Sequence, residues 1–206
     1  MYQPRAFVGS DPTQLDALVA ADPFVTLITQ DEAGAPFASH LPVLYHRDGD
    51  RIHVEGHWAK PNPQARLTGD ALLIVHGPHA YVSPGWYPDK HEAGRVPTWN
   101  YSVVHLRGRL ETFDDESSLA DLVSRLSRHF EAKVGSDWEF DPADARQHAL
   151  LRGIVGFRFV PDRVDIKLKL SQNHPLANRH AVIDALSSQE GDDTCAVAAL
   201  MRATLP

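Results

Sequence analysis

Lys60 is the residue whose neighbours point most directly to chemistry. It stands where the strand-like run Arg51-Ile52-His53-Val54-Glu55-Gly56-His57 gives way to Pro61-Asn62-Pro63-Gln64. A phosphate ester needs a cation and N–H donors, and a helix N-terminus offers donors together with the positive end of its dipole. A helix of about two turns is expected to start at Pro61 or Pro63, positions that suit proline because the first helical N–H groups have no partner. Lys60 would then supply the charge, Asn62 and Gln64 neutral donors, and His57 would face the same region. The plainer alternative is a solvated lysine beside an ordinary helix cap.

A second cluster is Pro97-Thr98-Trp99-Asn100-Tyr101-Ser102. A flat ring ligand needs an apolar wall and a few donors and acceptors at its edge. Trp99 and Tyr101 could form the wall, and Thr98 and Asn100 the edge. The competing reading is a strand whose aromatic residues fill core space. In a strand, Thr98 and Asn100 point opposite to Trp99 and Tyr101. A third candidate is Ser39-His40-Leu41-Pro42, where polar groups in mid-strand must either face water or meet a ligand. Pro42 marks an edge or irregularity there.

Twelve histidines are the compositional oddity. They lack metal-site spacing: there is no HExxH and no Cys-His pattern, so no metal is expected. Haem ligation by a single histidine stays open. The nucleophile elbow, the dinucleotide fingerprint and the phosphate-binding P-loop are all absent, and no catalytic residue is identified.

The elements that must position these residues read as an α+β chain with many short antiparallel strands and peripheral helices. Strands are expected at Phe24–Thr29, Pro36–Tyr45, Arg51–His57, Ala71–Gly77, His79–Ser83, Val96–Phe113, Ile154–Val160 and Val164–Leu170. The passage from Ser83 to Pro97 reads as a long loop, and such loops are often functional. Asp114–Val134 is an amphipathic helix with Leu119, Leu122, Val123, Leu126 and Phe130 on one face. Pro142–Leu151 is a shorter helix, and the tail holds two weak helical stretches, His180–Leu186 and Ala196–Arg202.

With 206 residues the chain suits one well-buried core. The aliphatic runs, such as Ala71–Val75, are far too short to span a membrane. The N-terminus lacks a signal-peptide layout, and the single Cys195 excludes an intramolecular disulfide; a cytoplasmic location is expected. A net charge of −7 argues against tight direct contact with DNA, which needs a surplus of lysine and arginine.

Several motifs in order carry a family resemblance. They are Met1, Tyr2, Pro4 and Phe7; Ser39-His40-Leu41-Pro42; Gly56-His57 with Ala59-Lys60 and Asn62-Pro63-Gln64; and His79-Ala80-Tyr81-Val82-Ser83-Pro84 with Trp86-Tyr87. Val96 to Tyr101 with Val104-His105, and Lys169-Leu170-Ser171-Gln172-Asn173, complete the set. The chain resembles the PaiB-type family of FMN-binding negative transcriptional regulators, over nearly the whole length to Asn178.

The resemblance implies an antiparallel FMN-binding split barrel with peripheral helices over residues 1–178, a helical tail over 179–206, FMN as cofactor and a homodimer. It implies that the passage His57 to Gln64, led by Lys60, holds the flavin phosphate. Ser39, His40 and Leu41 would line the flavin, and Thr98, Trp99, Asn100 and Tyr101 would reach the cofactor or the second subunit. Trp58 departs from the small residue expected beside Lys60. Two other functions fit the same fold: a flavin-dependent oxidoreductase or flavin reductase, and a haem-binding protein. Direct binding to DNA is weakly supported.

Overall fold

The computed structural model describes residues 1–206. Eight strands and five helices follow one another as β1 (Val8–Gly9), α1 (Pro12–Ala21), β2 (Phe24–Gln30), β3 (Pro36–Pro42), β4 (Leu44–Asp48), β5 (Arg51–Ala59), β6 (Gly69–Val82), β7 (Thr98–Phe113), α2 (Glu116–Val134), α3 (Ala145–Leu150), β8 (Ile154–Lys169), α4 (Leu176–Ser187) and α5 (Asp192–Ala203). The strands form one hydrogen-bonded sheet in the order β3-β2-β6-β7-β8-β5-β4, with β1 paired to β8. The chain divides into two compact units. One comprises Asp16–Val75 and His105–Val164; the other comprises Met1–Leu15, His76–Val104 and Asp165–Pro206.

In the first unit, β2 lies between β3 and β6, with Leu27 opposite both Ser39 and Leu73. Val25, Thr26 and Leu27 are buried in succession, so both faces of β2 are covered, as its β-branched and apolar run leads one to expect. β5 alternates strictly, burying Ile52, Val54, Gly56 and Trp58. Trp58 packs on Phe157 of β8 with ring centroids 4.7 Å apart. Asp115 caps α2 by accepting the Ser118 N–H at 2.9 Å, and Gly135 ends it in the left-handed conformation that glycine adopts without steric cost. Leu119, Leu122 and Leu126 are its buried residues.

Four expectations are corrected. The helix from Pro61 or Pro63 is a single 3-10 turn, Pro63–Arg66, because β5 stays extended through Ala59, which pairs with Ile154 of β8. Leu67 is already extended, at φ −95° and ψ 135°, so no second turn follows before β6 begins at Gly69. The strand Pro36–Tyr45 is broken at Val43, whose N–H turns to the Pro23 carbonyl. The two strands Ala71–Gly77 and His79–Ser83 are one, β6, which continues through Gly77-Pro78. The last two strands are likewise one, β8, running on through Pro161-Asp162-Arg163.

In the second unit, α4 and α5 pack against each other, burying Val182, Ile183 and Leu186 on one and Val197, Ala198 and Met201 on the other. Both are longer than the weak helical stretches expected in the tail. Arg179 reaches across to the Thr204 carbonyl at 2.7 Å and so closes the pair. No helix is long and apolar enough to cross a membrane.

Candidate functional site

The first unit brings Ser39, Asn62 and Gln64 together. Asn62 donates from Nδ2 to Ser39 Oγ at 3.0 Å, and its Oδ1 accepts the Gln64 N–H at 2.9 Å. That second bond caps the 3-10 turn and fixes how the chain leaves Lys60. The Lys60 N–H donates to the Gly153 carbonyl at 2.7 Å, so the lysine backbone is held on both sides. Its ammonium is exposed. Ser39 is buried, with its oxygen receiving Asn62.

Gln64 has no exposed surface. Its Nε2 is within hydrogen-bond distance of Leu27 O, Thr29 Oγ1 and Phe37 O at 3.1 to 3.2 Å, and its Oε1 accepts Trp58 Nε1 at 3.0 Å. The amide therefore stitches β2, β3 and β5 from inside the sheet. Trp58 thus carries a structural bond where a small residue was expected.

His40 and His57 are the imidazoles of this unit's candidate set. His40 is exposed, and its Nδ1 lies 3.0 Å from Thr26 Oγ1 on the neighbouring strand. His57 is half-buried, and that burial pushes its pKa below the ordinary histidine value. That favours its uncharged form, and Lys60 brings a permanent positive charge to the group. Leu41 is half-buried opposite Val25.

The residues Thr98, Trp99, Asn100 and Tyr101 belong to the other unit. The expected alternation holds in their burial. Asn100 is 1% exposed while Trp99 is 51% exposed. Asn100 Nδ2 lies 3.0 Å from Ser171 Oγ and 3.3 Å from Met201 Sδ, so it joins β7 to the end of β8 and to α5. Trp99 stands with His79 and Tyr81, at ring-centroid distances of 5.9 and 6.0 Å. Lys169 Nζ donates to Thr98 Oγ1 and to the Trp99 carbonyl, and Lys167 Nζ sits 5.2 Å from the Tyr101 ring centre. Burial lowers the Lys169 pKa, with the neighbouring Lys167 charge acting in the same direction.

Sequence reasoning had Lys169 only as part of a family motif with no role, and it missed Lys167 and the conformation of Ser171. Ser171 has a φ of 62°, in the left-handed region, and nothing in a serine announces that. Alternation along Lys167-Leu168-Lys169 was the available signal for the lysines. No group of three or more His, Cys, Asp or Glu side chains is placed to hold a metal ion.

The chain matches a family model described as "Putative FMN-binding domain" over residues 1–163. It is 31% identical over 205 residues to the protease synthase and sporulation protein PAI 2 of Bacillus subtilis, covering 98% of this chain and 96% of that protein. Among solved structures, the FAD- and haem-binding protein of Mycobacterium smegmatis superposes with a TM-score of 0.54 at 15% identity, over 78% of this chain and 72% of that one. The flavocytochrome Anf3 of Azotobacter vinelandii superposes with a TM-score of 0.52 at 18% identity, over 79% and 69%. At such identities the likeness concerns the fold, and it agrees with the α+β antiparallel split-barrel class expected from the sequence.

Proposed function

The chain belongs to the FMN-binding domain family, whose ligand is a flavin, and from that premise we propose that it binds FMN through Lys60 and serves as a homodimeric, cytoplasmic negative regulator of transcription. The observation that carries the FMN reading is Lys60 itself. Its ammonium is exposed and uncommitted, its backbone is pinned by Gly153, and the adjacent turn is capped by Asn62. An exposed cation on a fixed backbone suits a phosphate monoester. FMN ends in such a group, whereas FAD buries its phosphates within a diphosphate bridge.

In this reading Ser39 and Asn62 set the approach of the phosphate, neutral His57 offers a hydrogen bond without adding charge, and His40 and Leu41 border the ring system. The exposed wall of Trp99 and Tyr81, in the other unit, is assigned to the second subunit. A bound flavin supplies hydride or electron transfer.

The regulatory part of the proposal follows the relationship to PAI 2, and the net charge of −7 favours action through a partner over direct DNA contact. The test is a visible-absorption titration of the protein with FMN and, separately, FAD, wild type beside Lys60→Ala. FMN saturating near one per chain, with FAD much weaker and Lys60→Ala impaired, is the expected outcome. Equal affinity for both flavins, or an unaffected Lys60→Ala, would overturn the assignment of Lys60 to the phosphate.

A further inference from the structure

The loop between β6 and β7, from Ser83 to Pro97, is fastened to the start of α4 by a stack of side chains inside the second unit. Tyr87 of the loop is 1% exposed, and its ring lies on the imidazole of His174, with centroids 4.9 Å apart and planes 4° from parallel. The Arg95 guanidinium also lies over the Tyr87 ring, 5.7 Å from its centre. Asp89 accepts Arg95 Nε at 2.9 Å and Asn178 Nδ2 at 2.8 Å, which ties the middle of the loop to the first turn of α4.

His174 is the member of this stack whose residue type changes charge near neutral pH. The Tyr87 phenol is pushed up by burial, and Asp89 is lowered to about 2, chiefly by its bond to Arg95. Both therefore keep their charge state across the range in which a histidine titrates.

The imidazole is half-buried, and its Nδ1 is buried with no hydrogen-bond partner. A protonated ring has a donor at both nitrogens, so the charged form would hold one N–H inside with no acceptor. Burial is the largest cause of the lowered His174 pKa; the Arg95 charge adds to it, Asp89 opposes it, and Lys169 of β8 adds again. The opposing carboxylate is already engaged by Arg95 and Asn178. On α4, Arg179 is turned to the Thr204 carbonyl. A charged imidazole is attracted to an aromatic face, but the Tyr87 ring already carries Arg95 over it.

We propose that His174 is an acid-released latch: neutral, it holds the Ser83–Pro97 loop to the turn between β8 and α4, and protonated it leaves Tyr87 and frees the loop. The released imidazole reaches water, which solvates both of its N–H groups. Asp89 stays ionised and keeps its bond to Asn178, so the loop opens at the Tyr87 end and remains tethered at Asp89. The loop leads directly into Thr98 and Trp99, which places the latch at the root of the exposed aromatic wall.

The test is hydrogen–deuterium exchange of the full chain, read by mass spectrometry, with each rate divided by the intrinsic rate at the same pH. The amides of Tyr87, Lys90 and Arg95, bonded within the loop to the Pro84, Tyr87 and Lys90 carbonyls, report on it. Between about pH 7 and about pH 5.5 their protection should fall by up to about tenfold, because the open form takes up the proton first. The amides of α2, in the other unit, should hold their protection over the same range. His174→Phe keeps a flat ring against Tyr87 and takes no proton, so its loop should stay protected and level with pH. His174→Gln loses both the ring and the titration, so its loop should be poorly protected and equally level; it decides the matter where the phenylalanine does not fit. Three results would overturn the proposal: level protection of the loop in wild type, a pH dependence retained in both variants, or loss of protection in α2 in step with the loop.

Discussion

Asn62 donates its side-chain N–H to Ser39 Oγ at 3.0 Å, tying the loop that carries Lys60 to the strand that carries His40. Ser39→Ala removes that tie while leaving the Asn62 cap on the Gln64 N–H intact. A single neutral hydrogen bond contributes about 1 kcal/mol, so the midpoint of urea unfolding should move little. Flavin affinity should fall about fivefold, because about 1 kcal/mol of positioning is lost from the phosphate loop. An unchanged FMN titration in a folded Ser39→Ala protein would remove Ser39 and Asn62 from the site.

Gln64 shows how a residue chosen from sequence as a donor can have a different duty. It occupies the expected place beside Lys60, but its amide faces the Leu27 and Phe37 carbonyls instead of open solvent. Gln64→Glu replaces that donor with acceptor oxygens facing acceptors, inside the sheet. Urea unfolding should show a loss of about 3 kcal/mol or more, exceeding that of Gln64→Leu, which leaves Trp58 Nε1 unpaired but buries no charge. The reverse order would mean that the amide contributes little to the fold.

What the sequence made legible was local. The alternation in β5, the amphipathic stripe of α2 and the opposite faces of Trp99 and Asn100 all follow from residues next to one another. The helix after Lys60 failed because the ladder to β8 keeps Ala59 extended, and that partner lies about a hundred residues away. Pro78 and Pro161 read as strand breaks, yet the chain passes through both without leaving the sheet. Of the candidate site, the motifs were visible and their couplings were not. The Asn62–Ser39 bond spans 23 positions and the Asn100–Ser171 bond spans 71.

His57 makes stability depend on pH in a defined direction. Burial lowers its folded-state pKa, while the unfolded chain keeps a value near about 6.5. Above that value both states are neutral and the residue adds no pH dependence. As pH falls from the unfolded toward the folded pKa, the unfolded chain takes up a proton first, so stability declines across that interval and levels off below it. His129 and His174, also lowered chiefly by burial, act in the same sense. Thermal unfolding should therefore be level above about pH 7 and fall toward about pH 5, and His57→Gln should flatten part of that fall. An unaltered profile in His57→Gln would place the acid sensitivity on the other two.

Gly108 tests the long strand β7. A Cβ at this position would overlap the Val160 carbonyl oxygen and the Pro161 backbone, which lie against it where β8 runs through its proline. Neither neighbour is a flexible side chain, so Gly108→Ala must displace backbone. A loss of about 3 kcal/mol is expected in urea unfolding, the upper range of overpacking. A loss under about 1 kcal/mol would show that β7 and β8 can separate there at little cost.

Ser171 sets two effects against each other. Its φ of 62° is unfavourable for a residue with a Cβ, yet its hydroxyl lies 3.0 and 3.1 Å from the two polar atoms of the buried Asn100 amide. Ser171→Ala keeps the backbone cost and loses the hydroxyl, leaving the amide with Met201 Sδ, a weak acceptor. Ser171→Gly also loses the hydroxyl but relieves the backbone by about 1 kcal/mol. Urea unfolding should rank wild type above Ser171→Gly and Ser171→Gly above Ser171→Ala, with the alanine variant down by about 2 kcal/mol. Should glycine prove more stable than serine, the backbone cost outweighs the bond to Asn100, and the serine would be retained for something other than stability.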